Sequence, residues 1–403
     1  GHWVKVKVDK NGIYELTYDE LNDMGFSSPE KVRIYGQGGH ILSESLNGSQ
    51  TDDLAAVPYA HANNKIFFYA KGPVKITMGT SGRFSRSINS YATCAYYFIT
   101  EETSAPNTIK SMTTPTISGS NLLTTSYNCV YHESEKISYL SSGRDLYGES
   151  LPASITITPT GRVAGSEMTV QTYVAAAATS AGTSLTATLG NTEVPFDATA
   201  AALAAPAGYD NFRLIQPYAS VTPDADNGSY TLTVGVANTA ALSKGALDYA
   251  IVTYTQENSL GSRSQMNINY SAITKDDKIG IYNEAESLQI WNVTDPQTPL
   301  RVSYRNVTET IHDAEVNKDF EVTRSDASLG VEGVVSLVAF DPAKTLYKIK
   351  EYEVLPNQNI HGIPTPDMVI ICPTQLLAKA ERLAQIHRDH DNYDVLVLDQ
   401  KDI

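Results

Sequence analysis

Trp3-Val4-Lys5-Val6-Lys7-Val8-Asp9-Lys10-Asn11-Gly12-Ile13-Tyr14-Glu15-Leu16 alternates apolar and charged side chains, breaks at a polar turn signal, and resumes as a second apolar-rich run. Alternation puts Val4, Val6 and Val8 on one face of an extended chain, and Asp9 to Gly12 carry turn chemistry, so a β-hairpin is expected. Directly after it, Thr17 and Glu20 stand at capping-box spacing. Leu21 and Met24 share one face, and Gly25 suits the left-handed closing position, which predicts a helix of one or two turns. Strand runs recur at Val32-Arg33-Ile34-Tyr35, Lys65-Ile66-Phe67-Phe68-Tyr69 and Ala95-Tyr96-Tyr97-Phe98-Ile99, parted by Gly, Pro, Asn and Ser. These features describe a β module with one short helix over residues 1–135.

The polar stretch from Thr100 to about Ser126 carries almost no periodicity and reads as a long surface connection. Beyond it, short alternating strands dominate: Ser154-Ile155-Thr156-Ile157-Thr158, Met168 to Val174, Ser229 to Val234 and Tyr249 to Tyr254. Strands at this spacing argue for a β-sandwich over residues 136–355. The Ala-rich piece from Ala198 to Ala207 is broken by Pro206 and Gly208, which favours a loop over a helix.

The character changes near the end. Asp367-Met368-Val369-Ile370-Ile371-Cys372 is an unbroken apolar run of the kind buried on both faces of a parallel sheet. Pro373 and Thr374 suit a helix start, and Leu376, Leu377, Ala380, Leu383, Ala384 and His387 recur at helical spacing. Asp394-Val395-Leu396-Val397-Leu398 is a second apolar run. Residues 356–403 are therefore expected to be a linker and the first βαβ unit of an α/β domain. Such a unit cannot bury itself, so the reading is of a domain begun and cut short. The fold class is mainly β, ending in this α/β piece.

Composition sets limits on function. Hydrophobic residues at 41% against 19% charged place the chain among folded globular proteins. A formal charge of -15 repels phosphate backbones and anionic headgroups, which argues against nucleic-acid binding. No apolar run approaches the ~18 residues of a membrane-spanning segment. Gly1-His2-Trp3-Val4-Lys5 lacks a starting Met and a signal-peptide core, so it reads as a processed or engineered end. Tyr outnumbers Phe by 24 to 9, which suits solvent-facing antiparallel sheets and extracellular or periplasmic β modules. Cys94, Cys129 and Cys372 show no metal-type spacing and leave the redox compartment open.

No complete catalytic set emerges. Cys372 ends a parallel strand, where α/β sheets place their sites, with His361 or His387 as a candidate base. It is rejected, because no orienting group is suggested and cysteine is commonly a buried core residue. His387, Asp389, His390, Asp391 and Asp394 crowd a helix end, which polar residues do without binding metal. Asp224, Asp226, Asn227 and Gly228 begin like a calcium loop, but Gly235 stands where the bidentate Glu belongs, so a turn is preferred. Gly36-Gln37-Gly38-Gly39 lacks phosphate-loop spacing. Ser142-Gly143-Arg144-Asp145-Leu146-Tyr147-Gly148-Glu149 reads as a lock between the two β regions, with an exposed binding strip as its alternative.

In order along the chain, Val6 to Tyr14, Val32 to Gly39, Phe67 to Pro73, Tyr96 to Thr100, Ser142 to Glu149, Trp291 to Pro296 and Asn357 to Gly362 resemble the gingipain-like cysteine peptidases, nearest to the sortases of the type IX secretion system. The resemblance implies that a caspase-like α/β peptidase domain begins at about Pro366, with its catalytic His and Cys lying beyond Ile403. His361 and Cys372 match neither position, so catalytic, cofactor-binding and metal residues are all expected to be none, and no cofactor is expected. In the parent, a Cys thiolate with a His base would form an acyl-enzyme passed to an amine acceptor. The implied role is a non-catalytic N-terminal region that positions or shields the catalytic domain, secreted to the outer membrane or cell surface of a Gram-negative bacterium. Its implied partners are its own C-terminal peptidase domain, secreted cargo proteins and other secretion-system components. The alternative is a non-enzymatic surface protein for adhesion or glycan binding.

Overall fold

The computed structural model describes residues 1–43, 45, 53–113, 119–138, 143–179, 182–205, 208, 211–313 and 317–403. Of the sequence features above, Ser142, Pro206 and Ala207, and residues 114–118 of the polar stretch lie outside that set. The chain forms two compact units, Val4–Glu353 and a smaller one joining Gly1–Trp3 to Val354–Ile403.

The expected opening hairpin does not pair. Strand Trp3–Val8 lies beside Ala95–Glu101, which is antiparallel to Val32–Tyr35, whereas Gly12–Thr17 pairs antiparallel with Lys65–Ala70 in a different sheet. Burial gives the reason. Val4, Val6 and Val8 are buried on one face, while Ile13 to Leu16 are buried on both, so the two strands belong to opposing layers. The turn between them is held from outside the strand pair: Asn11 Nδ2 donates to the Val74 carbonyl at 2.7 Å, and Asn11 Oδ1 accepts from the Gly72 N–H at 2.7 Å. Val4, Val6, Leu16, Ile34, Phe68, Tyr97 and Ile99 fill the space between the layers. The capping box on the short helix Tyr18–Asp23 is present as read: Thr17 Oγ1 accepts from the Glu20 N–H and the Glu20 side chain accepts from the Thr17 N–H.

A ten-stranded, largely antiparallel sheet follows, centred on Leu242–Glu257, which is buried on both faces through most of its length. Its neighbours are Met168–Ala178 and Thr125–Glu133. Two smaller sheets cover it around separate cores. One contains Ala153–Ile157, Tyr230–Val236 and Thr183–Leu189, whose strict alternation supplies Ile155, Leu232 and Leu185 to the first core. The other contains Asp277–Tyr282, Lys318–Ala327 and Arg305–Asp313, packed through Ile279, Ile281 and Ala327. The sandwich expected from the strand spacing is thus one large sheet with two covers.

The polar stretch read as a surface connection contributes strands of its own. Lys110–Ser111 runs parallel to Leu300–Arg301, Asn121–Leu123 runs parallel to Asp277–Tyr282, and Thr125–Glu133 lies next to the central strand. Ala202–Leu203, in the Ala-rich piece, pairs with Thr183–Leu189.

In the small unit, Met368–Cys372 and Val395–Asp399 are parallel neighbours joined by helix Leu377–Asp391, the expected βαβ arrangement. The helix starts later than Pro373, after a 3-10 turn at Thr374–Leu376, and Asn392 closes it in the left-handed conformation at φ 55°. Cys372, Ala380, Ala384 and Val395 are buried, but Leu383 is exposed despite its helical spacing.

Candidate functional site

A groove of about 1020 Å³ in the β unit is walled by Tyr91, Tyr96, Tyr131, Tyr147, Tyr173 and Tyr249. One wall comes from the hairpin Val74–Met78 and Phe84–Ile88, in which Ile76 faces Arg86 across the pair. Met78 and Phe84 anchor the hairpin against Ile251 of the central strand. Arg86 consequently reaches the large sheet. Its guanidinium binds Glu133, lies 3.3 Å from Asp248 Oδ1, and sits over the Tyr249 ring at 4.4 Å. Tyr249 stacks on Tyr173, with ring centres 5.0 Å apart and planes 13° apart.

Glu133 ends one strand opposite Tyr249 of the next, so Asp248 falls beside it, and Glu135 follows two residues later. The ligand oxygens of Glu133, Glu135 and Asp248 lie within 4.8 Å of one another. Both inner carboxylates are deep, at 5% exposure for the Glu133 side chain and 10% for Asp248. Burial pushes the Glu133 carboxyl up to about 8; Arg86 opposes this, while Asp248 and Glu135 add to it. Burial likewise raises Asp248 to about 6, opposed by Arg86 and reinforced by Glu135 and Asp145. One guanidinium is outnumbered by the carboxylates around it. Glu133 Oε2, Arg86 Nε and the Tyr131 hydroxyl are buried without a hydrogen-bond partner.

The segment read as a lock rims this groove. Arg144 Nη1 donates to the Tyr91 hydroxyl at 2.9 Å. Tyr147 exchanges backbone hydrogen bonds with Ile137, and its ring meets Phe212 edge-on at 5.4 Å. The Gly148 N–H donates to the Leu247 carbonyl, and the Glu149 carboxylate meets His132 at 3.2 Å. Its described residues therefore touch both the N-terminal region, at the turn residue Tyr91, and the large sheet.

The other features singled out in the sequence have local roles. All three cysteines are free thiols, and Cys372 is 8% exposed at its strand end. The His387 ring is engaged by Asp391 at 2.6 Å and stacks on Tyr393, while His361 lies in the turn Ile360–Gly362. Asp389 accepts from Gln385 Nε2, and Asp367 accepts from the Asp394 N–H, so these acids serve the helix end and its neighbouring strand. Asp226 pairs with Arg162 and accepts from the Gly165 N–H, as a turn residue does. A Cβ on Gly39 would stand 2.7 Å from Ala95 Cβ and 2.9 Å from the Gly72 carbonyl carbon, which accounts for glycine there by close packing.

Sequence reading missed Arg86, Glu133 and Asp248. Arg86 is 47 residues from Glu133 and 162 from Asp248. The one local cue was a carboxylate set into an apolar strand, between Leu247 and Tyr249.

No protein-family model and no curated protein sequence matches the chain. Among solved structures, the crystal structure of dimeric latent PorU from Porphyromonas gingivalis is similar over 100% of this chain, at 27% identity and a TM-score of 0.81. The match covers 37% of the PorU chain, so this chain spans well under half the length of that protein. Structures of infectious bursal disease virus, Gx and Gt strains, reach TM-scores of 0.19 and 0.16 at 12% identity and carry no argument. The chain is PorU-like along its whole length.

Proposed function

We propose that this chain is the non-catalytic N-terminal region of a PorU-like sortase, a gingipain-like cysteine peptidase of type IX secretion, whose β unit positions and shields the catalytic domain at the cell surface. The whole-length likeness to latent PorU carries this reading. The small unit supports it: Val369 and Ile371 are 47% and 59% exposed on a parallel strand, a face suited to cover by further layers of a caspase-like domain. Catalysis would then use a Cys thiolate and a His base supplied by that domain, and the acyl group would pass to an amine acceptor.

The test has two arms. This chain alone should hydrolyse no peptide, and Cys372 should react slowly with iodoacetamide at neutral pH, as a buried thiol does. In the full-length protein, sortase activity should be lost on heating together with the melting of the β unit. Fast stoichiometric labelling of Cys372, or activity that outlasts the β unit, sinks the reading. A second reading, a glycan-binding surface module, is favoured by the exposed rings of Tyr91 and Tyr96 at the rim of a groove containing carboxylates. Saturable retention on a glycan array by the isolated chain would support it.

A further inference from the structure

We propose that Glu133, Glu135 and Asp248 bind a divalent, oxygen-seeking cation, calcium above all, at the floor of the tyrosine groove. The geometry fits. Oxygens held at ~2.3–2.6 Å around one calcium ion stand up to ~5 Å apart across it, and these carboxylates bring theirs within 4.8 Å before any ion enters. Charge fits as well: with their protons displaced by the ion, the three carboxylates carry three negative charges, Arg86 returns one, and the remaining two match a divalent cation.

The independent pointer is Glu133 Oε2. Arg86 binds Oε1 of Glu133 and Oδ1 of Asp248, leaving Glu133 Oε2 buried on a side chain only 5% exposed, with no cationic or amide donor and only the Glu135 carboxyl, another acid, to share a proton with. A buried acceptor left unmade costs about 1–3 kcal/mol, more when charged, and a cation removes that cost. The donor set is all oxygen, with no imidazole or thiolate, which selects calcium, magnesium or manganese over zinc or copper. Calcium is preferred because its flexible shell accepts two deep carboxylates plus one exposed Glu135, with water from the open groove, whereas magnesium demands near-ideal octahedral geometry. The ion would clamp the end of Thr125–Glu133 to Leu242–Glu257 and, through Arg86, hold the hairpin that forms one groove wall.

The experiment titrates calcium into the EDTA-stripped chain by calorimetry and follows thermal unfolding in parallel. One site per chain is expected, with a midpoint that rises with calcium, because an ion that binds only the folded state stabilises it. Glu135→Gln lies at the exposed corner and should fold normally by circular dichroism, yet weaken calcium binding by about tenfold or more. Asp248→Asn should do the same where it folds. The absence of both heat and midpoint shift at about 10 mM calcium, above the weakest range of extracellular sites, overturns the proposal. Binding by Glu135→Gln as tight as that of the parent chain overturns it equally, since the heat would then come from diffuse surface acids.

Discussion

The β unit and the small α/β unit use the same apolar residues to different ends. In the β unit, strands such as Leu242–Glu257 bury both faces, and Ile13, Leu16, Phe68, Leu232 and Phe340 are all sealed from solvent. In the small unit, an equally apolar strand, Met368–Cys372, keeps Val369 and Ile371 exposed, and its helix exposes Leu383 and Ile386. Hydrophobicity alone does not determine burial; the number of layers stacked on a strand does. An antiparallel sheet with two covers closes its own core, whereas a single βαβ turn supplies a helix to one face only. Stability should therefore reside almost entirely in the β unit, and substitutions in the two units should differ sharply.

The largest effect is expected at Trp291. It is 0% exposed, meets Phe340 edge-on at 5.3 Å, and shares its core with Phe67, Val338 and Ile13. Trp291→Ala should cost about 3–5 kcal/mol by denaturant titration, as large-to-small changes in closed cores do. Trp291→Phe should cost much less, because it keeps the packing and removes an indole N–H that has no partner. A cost under about 1 kcal/mol for the alanine variant would mean that this core is loosely closed and that the contrast between the units is smaller than burial suggests.

An acid-side effect comes next. His40 has a buried Nε2 without a partner, and burial, with Lys71 and Lys75 nearby, pushes its pKa down to about 4. The unfolded chain takes up this proton near pH 6.5 and the folded chain only near 4, so between those values the unfolded state binds more protons. Stability from this group is complete above about 6.5 and is lost as pH falls toward 4, by at most about 3 kcal/mol. Unfolding free energies from pH 7.5 to 4 should show the slope, and His40→Asn should flatten it. A slope unchanged in that variant would move the acid sensitivity elsewhere.

Features written in neighbouring residues were legible from the sequence. Alternation in Ser154 to Thr158 gave a strand with one buried face, and Thr17 with Glu20 gave the capping box. The parallel pair around Leu377–Asp391 was legible because an apolar run, a helical period and a second apolar run follow in order. What failed was partner choice. Asp9 to Gly12 has hairpin chemistry, yet the adjoining strands pair with Ala95–Glu101 and Lys65–Ala70, because burial on opposing layers outweighs a local turn. The Thr100 to Ser126 stretch hid its strands for a related reason: edge strands of two or three residues are too short to show a period. The acid site was invisible because Arg86, Glu133 and Asp248 come together only when three strands do.

The smallest effect is expected where sequence hydrophobicity is highest. Replacing both Val369 and Ile371 with Ser removes two β-branched apolar side chains from Met368–Cys372, a change that in a closed core would cost several kcal/mol. Both side chains are close to or above half exposed, so their transfer from water is already incomplete and no cavity forms when they shrink. The double variant of this chain should stay within about 0.5 kcal/mol of the parent for each site, the usual range for surface positions. The same pair placed in a full-length PorU-like protein should cost at least about 2 kcal/mol if the catalytic domain covers that face, because the side chains would then be interior. Measuring both backgrounds separates the two causes of a small effect. A small cost in each would show that the face stays open even beside a catalytic domain, and would remove the packing basis for the proposed role. A large cost in this chain alone would show that the strand is already covered, and the contrast between the two units would disappear.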